Sequence, residues 1–323
     1  MNRHLCLLAC LLFPALSHGQ AREDEIVANL ASGRVIIDVA HDGMVVGTIG
    51  QPLEPGSIPP HFVDVGGTHI AVLLGAAEWV HPGASSKPAR IERNVDRVIS
   101  ESGPPAQSNP EAASDIELIG IAFLERIRPF TAQLHHQVAL GPEEPILEIV
   151  VAGYAPDYGP EVWLLKYRIR QEMLRSDYYQ TRVLRPAYTQ LYPPEKHAPR
   201  TLVEVRYPEE EFADNSAAAK EPPLLNLIQS NDSRFVRLRS SDPKTARVIE
   251  QIQNGKSQGS HLADAEEFMH AALVILAGDG KIALGAMSDE GGFNWVVPPA
   301  ETLEKTQEET NRPPGAPTLR RKP

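Results

Sequence analysis

The stretch Ile146–Tyr167, I-L-E-I-V-V-A-G-Y-A-P-D-Y-G-P-E-V-W-L-L-K-Y, constrains the fold more than any other. Pro156-Asp157-Tyr158-Gly159 carries turn chemistry, and a second strand, Val162 to Ile169, follows at once. A nearly continuous apolar run bounded by turn residues reads as a strand covered on both faces. A sheet with one wet face would not need Val150 and Val151 side by side. The hairpin therefore belongs in the middle of a layered fold.

The segments around it supply the layers. Residues 20–33 are polar and read as a loose linker. Arg34–Ala40 and Met44–Ile49 form a hairpin about His41-Asp42-Gly43, and His61–Val65 and His69–Leu74 form a second. Lys87–Glu101 has helical spacing at Ile91, Val95 and Ile99. A stronger helix starts at the capping box Ser114–Glu117 and runs through Ile116, Ile119, Phe123, Ile127 and Phe130 to Leu134, with Pro129 limiting it. Thr181–Leu191, Thr201–Tyr207 and Arg234–Arg239 read as short strands, and Glu209–Glu211 and Asn215–Pro223 as solvated loops. Asp242-Pro243 opens a short helix that stops near Asn254-Gly255. Leu262–Leu276 is a helix, Lys281–Ala286 a strand and Phe293–Val297 a last strand stopped by Pro298-Pro299. Trp163 and Trp295, each within an apolar strand, read as core.

The first residues resemble a targeting segment: Arg3, an apolar run from Leu5 to Leu16, and small residues around Ser17–Ala21. This implies an exported chain, periplasmic or secreted, with residues 1–19 as a signal peptide; lipidation at Cys10 is the lesser alternative. Removing 1–19 takes both cysteines, leaving no disulfide, thiolate metal site or cysteine nucleophile. No later run is long enough to span a bilayer as a helix, so no integral membrane segment is expected after signal removal. The formal net charge of −11 argues against a nucleic-acid partner, because phosphate neutralisation needs a basic surface. No cofactor is expected. His135-His136 are adjacent at a helix end, where neighbours face apart, so no metal site is expected either.

Two hairpins, two helices, a buried hairpin, a late helix and a final strand give an α+β fold, a four-layer αββα sandwich of two antiparallel sheets flanked by helices. In this order the chain resembles the proteasome β-subunit family of N-terminal-nucleophile hydrolases. The likeness is carried by V-I-I-D-V-A-H-D-G-M-V-V (35–46), H-I-A-V-L-L-G-A-A-E-W (69–79), the hairpin V-A-G-Y-A-P-D-Y-G-P-E-V-W-L-L-K-Y (151–167), and Phe268–Val297 with Gly291-Gly292. In the second of these, the strand of the family runs into a Gly/Ala-rich helix start. The domain is expected over 34–298, with an expanded insertion at about 174–259 and a disordered tail at 299–323.

The resemblance implies a nucleophile whose own α-amine acts as base, a tuning lysine and aspartate, and a backbone amide that stabilises the oxyanion. Here those positions fall on Gly33 (nucleophile), Pro60 (lysine), Ile49 (aspartate) and Leu74 or Gly75 (oxyanion), with Glu290 at the family's late serine. Only Gly75-Ala76-Ala77 keeps the pattern. Without the lysine and aspartate the inherited mechanism is absent, and the expected role is a binding or assembly module with a degenerate peptidase site. Subunit packing through helices and sheet edges implies a ring or other homo-oligomer. Two alternatives stand: an active amidohydrolase using Ser32 after a second cleavage, and a periplasmic structural protein with no family link. Lys87 does not match the family position, although it could reach the site in space.

Overall fold

The structure, a computed structural model, describes residues 27–50, 57–65, 69–80, 88–93, 95, 97, 115–132, 145–155, 159–175, 178–194, 202–207, 221–254, 260–278, 280–289 and 292–299. Strands β1 (Val27–Ala31), β2 (Gly33–Val39), β3 (Gly43–Gly50), β4 (His61–Val65), β5 (His69–Val80) and β6 (Ala89–Arg90) precede helix α1 (Asp115–Thr131). Then come β7 (Leu147–Ala155), β8 (Gly159–Tyr167), β9 (Ile169–Arg175), β10 (Tyr178–Val183), β11 (Ala187–Tyr192) and β12 (Leu202–Tyr207). Helices α2 (Leu224–Gln229), α3 (Ser233–Ser241), α4 (Pro243–Gln253) and α5 (Leu262–Ala277) lead to β13 (Lys281–Ser288) and β14 (Phe293–Val297).

The class is α+β, with two main antiparallel sheets and five helices among the described residues. One sheet has the order β1-β5-β7-β8-β11, with β4 and β6 also on β5; the other has the order β12-β2-β3-β13-β14, and β9 and β10 pair separately. The hairpin β7–β8 occupies the centre of the first sheet, as its apolar run requires. Leu147, Ile149 and Val151 join Leu165 and Tyr167 in a buried cluster with Ile119, Phe123 and Ile127 of α1. Val150, Ala152, Val162 and Leu164 point the other way, as strand alternation dictates, and share a cluster with Val35, Ile37, Val39, Met44, Val46 and Met287 of the second sheet. The opposite face of that second sheet, through Ile36, Val45, Ile49 and Leu284, packs on α2 to α5.

Six segments differ from the sequence expectation. Within Lys87–Glu101, expected as a helix, Ala89–Arg90 is strand β6, because it pairs with Trp79 and Glu78 of β5. Thr181–Leu191, expected as a strand, divides between β10, which pairs with β9, and β11, which pairs with β8. Val27–Ala31, in the stretch read as loose, is β1: it pairs with β5 and buries Ala28, Leu30 and Ala31. Gly75–Val80, expected to open a helix, continues β5, because Ala76, Ala77 and Trp79 are packed in the α1-side cluster while Gly75, Ala76, Glu78, Trp79 and Val80 pair with β1. Arg234–Arg239 lies in helix α3, not a strand. The Asp232 carboxylate accepts from the Arg234 amide as its N-cap, and Phe235 is its buried residue. Trp295 is not core, being 36% exposed. The expected elements at Asp242-Pro243, Leu262–Leu276 and Phe293–Val297 stand as α4, α5 and β14. Residues 1–19, Ser114, Leu134 and 300–323 lie outside the described residues.

Two carboxylates fix helices to the second sheet. Arg34, fully buried on β2, donates through Nε to Glu204 of β12 (2.9 Å). Arg206 Nε reaches the same oxygen (2.7 Å), and the other oxygen of Glu204 accepts from the Leu224 amide that begins α2 (2.7 Å). Glu221 continues the chain to Arg34 (3.5 Å) and Arg234 (2.6 Å). At the other end of the sheet, Asp42 in the β2–β3 turn accepts from the Leu262 amide at the start of α5 (2.6 Å), beside His261 (3.4 Å). Burial raises the Asp42 carboxyl. The amides of Leu262 and of Asp42 itself, together with His261, outweigh burial and leave it below its ordinary value.

Two outcomes follow. Glu204→Gln removes the nearer of the two counter-charges of Arg34 and leaves only Glu221 at 3.5 Å; it should cost about 2–3 kcal/mol, read as a lowered urea midpoint at unchanged m. Asp42, held low in the folded state, contributes stability that is present above the unfolded carboxylate value and lost as pH falls through the folded one. The stability gap between the parent and Asp42→Asn should therefore close as pH drops below about 4, in thermal melts across a pH series.

Candidate functional site

The chain leaves one sheet for the other within a single residue. β1 ends at Ala31, β2 begins at Gly33, and Ser32 stands between them, 3% exposed. Gly33 makes the crossing with φ 147°, a backbone region that glycine enters without a Cβ penalty. The crossing is clamped from one side by Ile58: the Ser32 amide donates to the Ile58 carbonyl (3.0 Å), and the Ile58 amide donates to the Leu30 carbonyl (2.9 Å).

Opposite Ala31 in the β1–β5 ladder is Gly75, so the structure brings the nucleophile candidate and the oxyanion candidate to one place. Gly75 has φ +88°, and a Cβ there would stand 2.7 Å from the Ile146 carbonyl oxygen and 3.2 Å from Tyr207 Cζ. Tyr207 belongs to β12, in the other sheet, and pairs with Gly33. The junction is thus ringed by small or strand-end groups: Gly33, Gly50 against Pro59, Gly75 and the Tyr207 ring. The amide after Gly75, that of Ala76, donates to the Ile146 carbonyl (2.8 Å).

The other positions set by the resemblance bring no charged side chain to this point. Ile49 is buried in the cluster with the helices, Pro60 ends the short segment before β4, and Leu74 lies in the cluster shared by the two sheets. Glu290 and Lys87 lie outside the described residues, as do His135 and His136. Among the described residues no three His, Cys, Asp or Glu side chains gather as metal ligands, and no helix is long and apolar enough to cross a membrane.

Two polar pairs were missed in the sequence. Glu148, fully buried, meets Lys166 Nζ at 3.4 Å; strand alternation puts both on the face of Val150 and Leu164, one register step from Gly75. At the far end of the same sheet, buried His69 Nε2 lies 2.8 Å from Glu161 Oε1, and Trp163 Nε1 donates to Glu161 Oε2 (2.7 Å). The first pair had a signal. Glu148 and Lys166 each interrupt an apolar strand and stand directly opposite once the turn is centred on Asp157.

Chemically, Ser32 offers a hydroxyl beside a peptide nitrogen. That nitrogen is conjugated with the Ala31 carbonyl and cannot serve as a base in the way a free α-amine does.

No protein-family model matches the chain, and no curated protein is similar to it in sequence.

Gly75→Ala forces a side chain into the left-handed region and against the Ile146 carbonyl. It should cost about 1–3 kcal/mol, seen as a lower melting temperature.

Proposed function

We propose that this chain is a non-catalytic binding or assembly module, built on a proteasome-like four-layer αββα scaffold whose N-terminal-nucleophile site is degenerate. One observation carries the reading: Ser32 is buried at the crossing between two strands of different sheets, with its amide held by the Ile58 carbonyl. The lysine and aspartate positions hold Pro60 and Ile49, which have no charge to tune a nucleophile. The layered architecture is supported by three buried clusters, one against α1, one drawn from both sheets and one against α2 to α5. The leader-like residues 1–19 support export to the periplasm or beyond.

A second reading rests on a different observation. Ala31 faces Gly75 across the ladder, so cleavage at Ala31–Ser32 would leave a serine amine beside the oxyanion candidate. That reading is an N-terminal-nucleophile amidohydrolase using Ser32.

Intact mass and N-terminal sequencing of the chain recovered from its own compartment separate the two. The expected start is upstream of Val27, with no turnover of amide substrates beyond a Ser32→Ala control. A start at Ser32 with hydrolysis that Ser32→Ala abolishes would replace the first reading with the second.

A further inference from the structure

Residues 166–185 run against the acidic character of the chain: they hold six Lys or Arg and two Asp or Glu, whereas the whole chain holds 31 and 42. They form the end of β8 and the ribbon β9–β10, which pairs apart from both main sheets. β8 passes into β9 through Arg168 alone, and the Leu184 amide donates to the Arg168 carbonyl (2.8 Å) on the way back to β11. The ribbon therefore leaves the first sheet past Tyr167, which pairs with Leu147, the partner of Gly75. Strand alternation sorts its side chains. Leu165, Tyr167 and Ile169 belong to the α1-side cluster, Val183 packs against it and Thr181 is buried. Arg168 and Arg170 fall on the other face, and Arg182 stands directly opposite Arg170. Both Arg170 and Arg182 are exposed. On α3, by contrast, Arg234 and Arg239 face carboxylates of the chain itself.

Like charges directly opposite in a ladder work against the pairing, so the ribbon's own stability gives no reason for Arg170 across from Arg182. An anion laid across the two does. The charge distribution narrows what that anion is. A membrane or a nucleic acid spreads its negative charge more widely than the ribbon and would face the acidic remainder of the chain as well. A short extended peptide meets the ribbon alone. Its alternate side chains repeat every about 7 Å, as do Arg168 and Arg170 on β9. A carboxylate also receives a guanidinium through two parallel hydrogen bonds. We propose that the face of β9–β10 turned away from α1 binds an extended acidic peptide segment of another protein, with carboxylates at alternate positions meeting Arg168, Arg170 and Arg182. This rests on the binding-module reading above and names the partner.

The test is fluorescence anisotropy of two labelled peptides titrated with the whole chain at low and high salt. One peptide alternates glutamate with threonine; the other has the same composition with its glutamates in one block. The alternating peptide should bind several-fold more tightly, and its binding should weaken as salt screens the contact. Arg170→Glu places a carboxylate opposite Arg182, so the ribbon keeps its pairing. This variant should bind the alternating peptide about tenfold or more weakly, with a melting temperature at or above that of the parent. Arg170→Gln should give a smaller loss in the same direction. Binding of neither peptide, equal binding of the two, binding untouched by either folded variant, or a preference for polyphosphate or phosphatidylglycerol vesicles over the peptide would each overturn the proposal. The mature N-terminus, not peptide binding, decides the role of Ser32, so the two readings fail separately.

Discussion

β7 is buried along both faces, and the rest of the fold answers that demand. Leu147, Ile149 and Val151 need one cover and Val150 and Ala152 another. A strand apolar on one side can leave its other side wet; one apolar on both cannot. α1 supplies the first cover through Ile119, Phe123 and Ile127, and the strands β2, β3 and β13 supply the second. Those strands then have an outer face of their own, and Ile36, Val45 and Leu284 are covered by helices in turn. Glu148 is the exception within β7. Its carboxylate lies where an aliphatic side chain would pack, and Lys166 on the neighbouring strand offsets the desolvation.

Charged side chains inside this molecule fix the starts of helices and the edge strands to the sheets. Glu204 joins Arg34 and Arg206 of the sheet to the first amide of α2, a helix of six residues. Asp42 reaches from a turn to the first amide of α5, whose own N-cap residue, His261, makes no side-chain cap. Glu78 draws together three elements: Asn29 of β1 (3.3 Å), Arg90 of β6 (2.8 Å) and His61 of β4 (3.7 Å). Short edge strands and short helices bury too little apolar area to outweigh the entropy of ordering them. A directed, charge-assisted hydrogen bond from a rigid strand fixes where they sit.

Much of this was legible because apolar periodicity reports burial directly. The central hairpin, α4, α5 and β14 follow from pattern and capping alone. The sequence failed where a partner distant in the chain decides the outcome. Gly75-Ala76-Ala77 has the small residues of a helix start, yet β1 pairs with it and draws it out as strand. Val27–Ala31 sits among polar neighbours and becomes a strand through the surface that β5 presents to it. R-F-V-R-L-R alternates like a strand, but Asp232 caps it as a helix. Of the candidate site, Ser32 and Gly75 were both named from the sequence. Their closeness depends on the pairing of Ala31 with Gly75, which no local signal announces.

That pairing also limits what a cut beside Ser32 could achieve. Ala31 is fully buried, and the bond to Ser32 lies between strands anchored in separate sheets. Breaking the bond would leave β1 in place, still laddered to β5, still bridged to Ile58, and still held by Asn29 on Glu78. The new amine would remain beside the Ile58 carbonyl, at a residue that is buried in the intact chain. An open site needs β1 to depart as well, with loss of the contacts that bury Ala28, Leu30 and Ala31. The junction is thus pulled in two directions, since the interactions that make the crossing from sheet to sheet stable are those a nucleophile there must do without.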